Sequence, residues 1–186
     1  MAVAPFQIIA SPASLYIANA STAEPVITDT TLTGWTSLGQ TEGGTSVKHT
    51  QKVDPLMTDQ AVRPVKFIRS EEGMEITVKL AELTLENYRY ALNSNAVTVT
   101  TGPPHTKSVN ISKGVVVQTH ALLVRGPSPY GNWNLQFWVP IVVMSSEPEV
   151  AFVKDDKAVL EMTFTAGNDS SQTVGLEFGR VLAQDA

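Results

Sequence analysis

Three histidines, His49, His105 and His120, are the side chains best suited to acid–base or metal chemistry near neutral pH. None lies three or four residues from another histidine or from a carboxylate pair, the spacing that sets two ligands on one helical face. Carboxylates double up at Glu71-Glu72 and Asp155-Asp156. Neighbours on an extended strand point to opposite faces, and both pairs adjoin turn residues, where solvated charge is the ordinary reading. Asn168-Asp169-Ser170-Ser171 suits an Asx or Ser turn ahead of Val174. A calcium loop would need a spaced series of acidic ligands, which is missing. The chain has no GxSxG elbow, no GxxxxGK[ST] phosphate loop and no GxGxxG. Trp133, Phe137 and Trp138 could stack on a sugar ring, but suit better a set of core and interface aromatics beside the Pro127–Asn132 turn. The absence of cysteine excludes disulfides, thiolate zinc sites and cysteine nucleophiles. The sequence thus points to no catalytic, cofactor-binding or metal-binding residue and to no cofactor.

Composition narrows the partners. The net charge of −5, from 18 acidic and 13 basic residues, disfavours a grip on nucleic acid, which needs clustered Lys and Arg. It suits a surface past which nucleic acid slides. Charged residues make up only 17% of the chain. That fits a subunit buried against its neighbours, or equally a surface rich in Thr and Ser. The start, MAVAPFQIIASPASLYIANA, has no basic residue and is broken by Pro5 and Pro12, so it reads as no signal peptide. No apolar run approaches the roughly 18 residues of a membrane span. The sequons at Asn19, Asn110 and Asn168 then read as chance.

The elements follow from periodicity. Met74, Ile76, Val78 and Leu80 alternate with Glu75, Thr77 and Lys79, which predicts a half-buried strand. A second is predicted over Val159–Ala166, with Leu160, Met162, Phe164 and Ala166 on one face. Between them Thr84 is placed to cap a short helix, TLENYRYAL. Leu85, Tyr88, Leu92 and Ala91 would form its apolar stripe, and Asn93 and Asn95 would end it. Further strands are expected at Trp35–Gly39, Val97–Thr101, Gly114–Val124, Trp133–Met144 and Val150–Val153, with a turn at Lys154–Lys157. In Trp133–Met144 the expected alternation sets Leu135, Phe137 and Val139 against Gln136 and Trp138. From Thr45 to Val65 the residues are of β type, but alternation is weak and Pro55 and Pro64 interrupt it. Such a stretch predicts an extended arm or hairpin that folds against something else.

Taken in order, these features resemble the major tail tube proteins of long-tailed, siphophage-like bacteriophages. The resemblance spans about residues 35–170. It is carried by the Gly-Gly turn in LGQTEGGTSV (38–47), the arm through Val53-Asp54, Asp59-Gln60 and Pro64-Val65, the strand beginning at Gly73, the LAELTLENY (80–88) entry to the helix, and VLEMTFTA (159–166) before an Asp-containing turn. It implies a mainly β fold, a β-sandwich or barrel with one short flanking α-helix and a long extended loop. The chain would be a single domain over 1–186, with an N-terminal segment of about 1–34 and an arm of about 43–70. Six copies would close into a ring whose sheets join into an inner barrel, and rings would stack into a tube that delivers DNA. Val47, Val53, Leu56, Met57, Val62 and Val65 are the candidate inter-subunit residues of the arm. The lumen-facing residues are not assigned; Glu75 is a candidate, but Lys79 shares its face. Implied partners are copies of the chain itself and other tail proteins such as the tape measure and terminator, with DNA passing without specific binding and no membrane. The place of action would be the virion tail, after synthesis in the bacterial host cytoplasm. Other readings are a tail terminator, a head decoration protein, or a carbohydrate-binding β-sandwich built on Trp133, Phe137 and Trp138.

Overall fold

The computed structural model describes residues 12–150 and 157–185. Its elements are, in order, β1 (Ser14–Asn19), β2 (Thr36–Ser37), β3 (Thr41–Leu56), β4 (Lys66–Leu80), α1 (Leu85–Ala91), β5 (Val97–Thr100), β6 (Thr106–Val109), β7 (Thr119–Pro127), β8 (Asn134–Met144), β9 (Leu160–Ala166) and β10 (Arg180–Ala183). The fold is mainly β, with one short helix. The two clearest alternations in the sequence, on β4 and β9, turn out to be paired neighbours. Ile76 lies opposite Phe164, Val78 opposite Met162 and Leu80 opposite Leu160. All six side chains are buried. On the other face of the same strands Thr77 meets Thr163 at 3.1 Å and Lys79 meets Glu161 at 3.0 Å.

The main sheet runs β2-β1-β7-β8-β9-β4-β3, every pair antiparallel, and β10 also adds to β8. The edge of β8 is shared. Leu135–Trp138 pair with β10, whereas Val142–Met144 pair with β9. Leu15, Ile17, Leu122, Val124, Val139 and Val142 from the β1-β7-β8 half form one apolar cluster with the inward residues of β4 and β9. The sheet therefore curls on itself about the short β8–β9 junction. A bulge in β8 helps it turn. His120 pairs with Val142 but Leu122 with Val139, so Pro140 and Ile141 oppose Ala121 alone. Proline is tolerated in this inner strand because the bulge frees it from the ladder.

Several expectations change. The strand expected from Gly114 starts only at Thr119, because the ladders on either side of β7 stop at Asn19 and Val143. Strand β8 is buried on both faces: Gln136 and Trp138, expected opposite the core, are themselves covered. The cover is the segment between β1 and β2. Asn134, Gln136 and Trp138 alternate along one face, and their N–H groups donate to the carbonyls of Ile27, Pro25 and Thr22 at 2.9, 3.0 and 3.0 Å. Polar side chains at period two thus mark the seat of a peptide rather than solvent. The helix is capped as expected, Thr84 Oγ1 accepting from the Asn87 N–H at 3.2 Å. Its buried face is Asn87, Tyr90 and Ala91, followed by Leu92, while Leu85 and Tyr88 are half-buried. Asn87 turns inward because its amide donates to the carbonyls of Leu38 and Glu82. The sequence reading does not identify β1 or β10. The strand expected at Val150–Val153 and the turn at Lys154–Lys157 fall mainly outside the described residues.

Candidate assembly surfaces

The chemically capable side chains are not brought together. His49 is exposed on β3 opposite Met74, and His105 is exposed in the β5–β6 turn. His120 Nε2 lies 2.6 Å from Ser94 Oγ, with the ring edge-on to Tyr90. No group of three His, Cys, Asp or Glu residues able to hold a metal occurs among the described residues. Glu71 pairs with Lys52 at 3.2 Å and Glu72 with Arg69 at 3.9 Å, while Asp155-Asp156 lie outside the described residues. Asp169 is buried and accepts from the Ser171 N–H and Oγ and the Gln172 amide, at 3.0, 2.6 and 3.0 Å. Hydrogen bonds from Ser171 first, then Gln172 and Ser21, hold its carboxyl far below the usual range. It is the keystone of a turn. Phe137 packs toward the core, Trp138 is buried on the opposite face and Trp133 is half exposed, so the three aromatics form no sugar platform.

Burial lowers the His120 pKa, against a smaller opposing hydrogen bond to Ala18. A depressed imidazole contributes stability above its unfolded value of about 6.5, and that stability is lost as the pH falls through the folded value. The melting temperature should therefore drop on acidification below about 6.5, and less so in His120→Gln. Thermal melts across that range check it; identical pH profiles would show that His120 is not the group responsible.

Surfaces, not a cleft, are where this chain departs from an ordinary domain. Strands β3 and β4 form a hairpin of 16 and 15 residues, of which β9 supports only Glu75–Leu80. From Glu75 to Lys66 the ribbon extends about 30 Å with no third strand. Of the six candidate arm residues, Val47 is half-buried against the core, and Val53, Leu56, Met57, Val62 and Val65 are exposed, Val62 to 97%. Phe67, 64% exposed, and Ile68 complete the apolar tip. Sequence reasoning missed both, because they sit between the charges of Lys66, Arg69, Glu71 and Glu72 and read as loop.

The arm is built in two zones. Near the body, Lys48 meets Glu75 at 3.3 Å and Lys52 meets Glu71 at 3.2 Å, cross-strand pairs on the face that carries Thr77 and Lys79. At Ser70 the register slips: Lys52 opposes Glu71 but Val53 opposes Arg69. This one-residue bulge turns Phe67 to the face continuous with Met74 and Ile76. Beyond it the ribbon is apolar on both faces, with Val53, Pro55 and Phe67 on one and Leu56 and Ile68 on the other. Such a tip, with β3 bonded only to β4 along its length, is an unsatisfied edge of about 50 Å.

A second apolar surface precedes β7. Val115, Val116 and Val117 are 100%, 71% and 61% exposed, yet their loop is firmly built. The Asn93 amide donates to the carbonyls of Lys113 and Val116, and its oxygen accepts from the Gln118 N–H, all at 2.6 Å. Asn95 donates to the carbonyls of Asn110 and Ser112 at 2.6 and 2.7 Å. Three valines held in water by such a scaffold are a ledge awaiting cover.

Both surfaces leave apolar side chains exposed within the single chain. No helix among the described residues is long and apolar enough to cross a membrane. No curated protein matches the chain. The family model for phage tail tube proteins matches residues 4–175, all but the two ends. That family is structural and non-enzymatic, and its place is the virion tail. By fold, by exposed β surface and by that match, the chain belongs to the phage tail tube protein family.

Proposed function

We propose that the chain polymerises into the tail tube itself: copies close into a ring, six by resemblance to the family, and rings stack into a tube through which DNA is delivered. The observation that carries this reading is the β3–β4 ribbon, whose outer half buries none of its own residues. Closure removes sheet edges, and a heterologous contact repeated along an axis gives a tube. The outer edge of β3 and that of β2 stand at the two ends of the main sheet order, so copies side by side can continue one sheet into the next. The ribbon then reaches the adjacent ring. The N-terminal segment and the tail after Ala166 are in part taken up by the subunit itself, as β1 and β10; their exposed residues, Val26, Val174 and Val181 among them, are further contacts between subunits, and tape measure and terminator proteins are partners at the ends. Sedimentation velocity over a concentration series tests the reading: species should grow from monomer to very large polymer, and a monomer at every concentration would count against it.

The polar face of β9, β4 and β3 is the face proposed to line the bore. Between the body and the bulge at Ser70 its lysines are each matched to a carboxylate: Lys48 with Glu75, Lys52 with Glu71, Lys79 with Glu161. Glu75 is thus no bare charge repelling DNA but one half of a neutral pair, with Thr77, Thr163 and Thr165 between. Along this stretch, where every lysine is paired, the surface displaces few counterions from phosphates and lets DNA pass. Changing Glu71, Glu75 and Glu161 together to Lys should make assembled tubes retain DNA at low salt, with retention falling steeply as salt rises. Tubes of this variant that bind no more DNA than the original would remove this face from the bore.

A further inference from the structure

The ribbon's tip needs a seat, and the same chain offers one. Behind Val117 of the valine ledge lies a recess of about 250 Å³ walled by Tyr90, Ala91, His120 and Met144, with Lys113 beside it. The four hydrogen bonds that Asn93 and Asn95 donate and the one that Asn93 accepts fix the ledge before anything covers it, which lowers the entropic cost of covering it. The ribbon carries what the recess lacks: an exposed aromatic, Phe67, flanked by Met57 and Val65. Tyr90, Ala91, Val117 and Met144 give the recess an apolar wall and Asn93, Gln118 and His120 a polar one, and a side chain desolvated in such a pocket carries much of an interface's binding energy. Charge agrees, since Lys113 has no carboxylate partner and Asp59, in the tip, has no cation among the described residues. Within one copy Phe67 stands 64% exposed while Val115 and Val116 are open, so the two surfaces do not cover each other in the same molecule.

We infer that the ribbon tip of one copy seats Phe67 in the recess and lies along Val115–Val117 of a second copy, so that each subunit is at once donor and acceptor. This inference rests on the tube reading and names the receptor that the reading leaves open. Each copy carries one tip and one ledge at different places, so the contact is heterologous and propagates.

The absence of cysteine makes the test clean. In a Val65→Cys/Val116→Cys variant, oxidation after assembly should give a ladder of disulfide-linked multimers on a denaturing gel, whereas the two single variants give none beyond a dimer. Independently, Val116→Asp should leave the melting temperature of the subunit unchanged and raise the concentration needed for assembly at least about tenfold. If the original sequence forms tubes but the double-cysteine variant gives no ladder and Val116→Asp assembles at the original concentration, this inference is overturned and the tube reading stands. If the original sequence forms no tubes at all, both fall together.

Discussion

A chain in which an Asn-Gly turn replaces residues 52–71 should fold to a monomer as stable as the full protein and form no tubes. The cut joins Gln51 to Glu72, which already face each other across the hairpin, and Asn-Gly closes a two-residue hairpin with the twist of its strands. None of the removed residues is buried, so the core keeps every contact. Surface changes away from core, caps and turns usually alter stability by about 0.5 kcal/mol or less. Assembly responds differently, because the excised ribbon holds seven exposed apolar residues, Val53, Leu56, Met57, Val62, Val65, Phe67 and Ile68. Circular dichroism melts beside light scattering would check both halves. Tubes of normal length from the shortened chain would show that the ribbon is not the stacking element.

Phe164→Ala should have the opposite signature. Phe164 is fully buried, faces Ile76 on β4, and belongs to the cluster that unites the two halves of the curled sheet. Truncating a buried phenylalanine costs about 3–5 kcal/mol, from lost transfer energy and the cavity left behind. Against a typical total of about 5–15 kcal/mol this is a large fraction. Its neighbours cannot easily fill the gap, since Leu160 and Met162 are held by the same ladder to β4. Urea unfolding should show a midpoint shifted far down with little change in slope. A shift of less than about 1 kcal/mol would mean that the halves are not joined through this core. Set side by side, the two variants separate folding from assembly: one loses the polymer and keeps the fold, the other loses the fold.

How much of this was readable in advance depended on whether a segment's surroundings were local. On β9 and on Met74–Leu80 of β4 one face meets the core and one meets water, so alternation survives in the sequence and marks those stretches, whereas Lys66–Gly73, the unburied half of β4, carries no such pattern and reads as arm. The Thr84 cap and the short helix rest on contacts within four residues and were equally legible. Strand β8 was misread on its second face because its cover, the segment from Thr22 to Ile27, is more than a hundred residues away in sequence. The valines at 115–117 have the composition of a strand, but the neighbouring strands end before them and the side chains of Asn93 and Asn95 hold their segment as a loop. The arm is legible as a failure of pattern, Thr45 through Val65 having β residues with weak alternation. That signal could not reveal Phe67 and Ile68, whose side of the ribbon is set by a one-residue bulge at Ser70. The family is now shown by the match over residues 4–175, whereas ring closure and stacking rest on the exposed edges and the apolar tip.

The most direct measurement is electron microscopy of the purified chain alone, negatively stained across a range of concentrations. Stacked rings forming hollow tubes of constant width, with a continuous central bore, are the predicted result. Uniform monomers at every concentration, with neither rings nor tubes, would contradict the account.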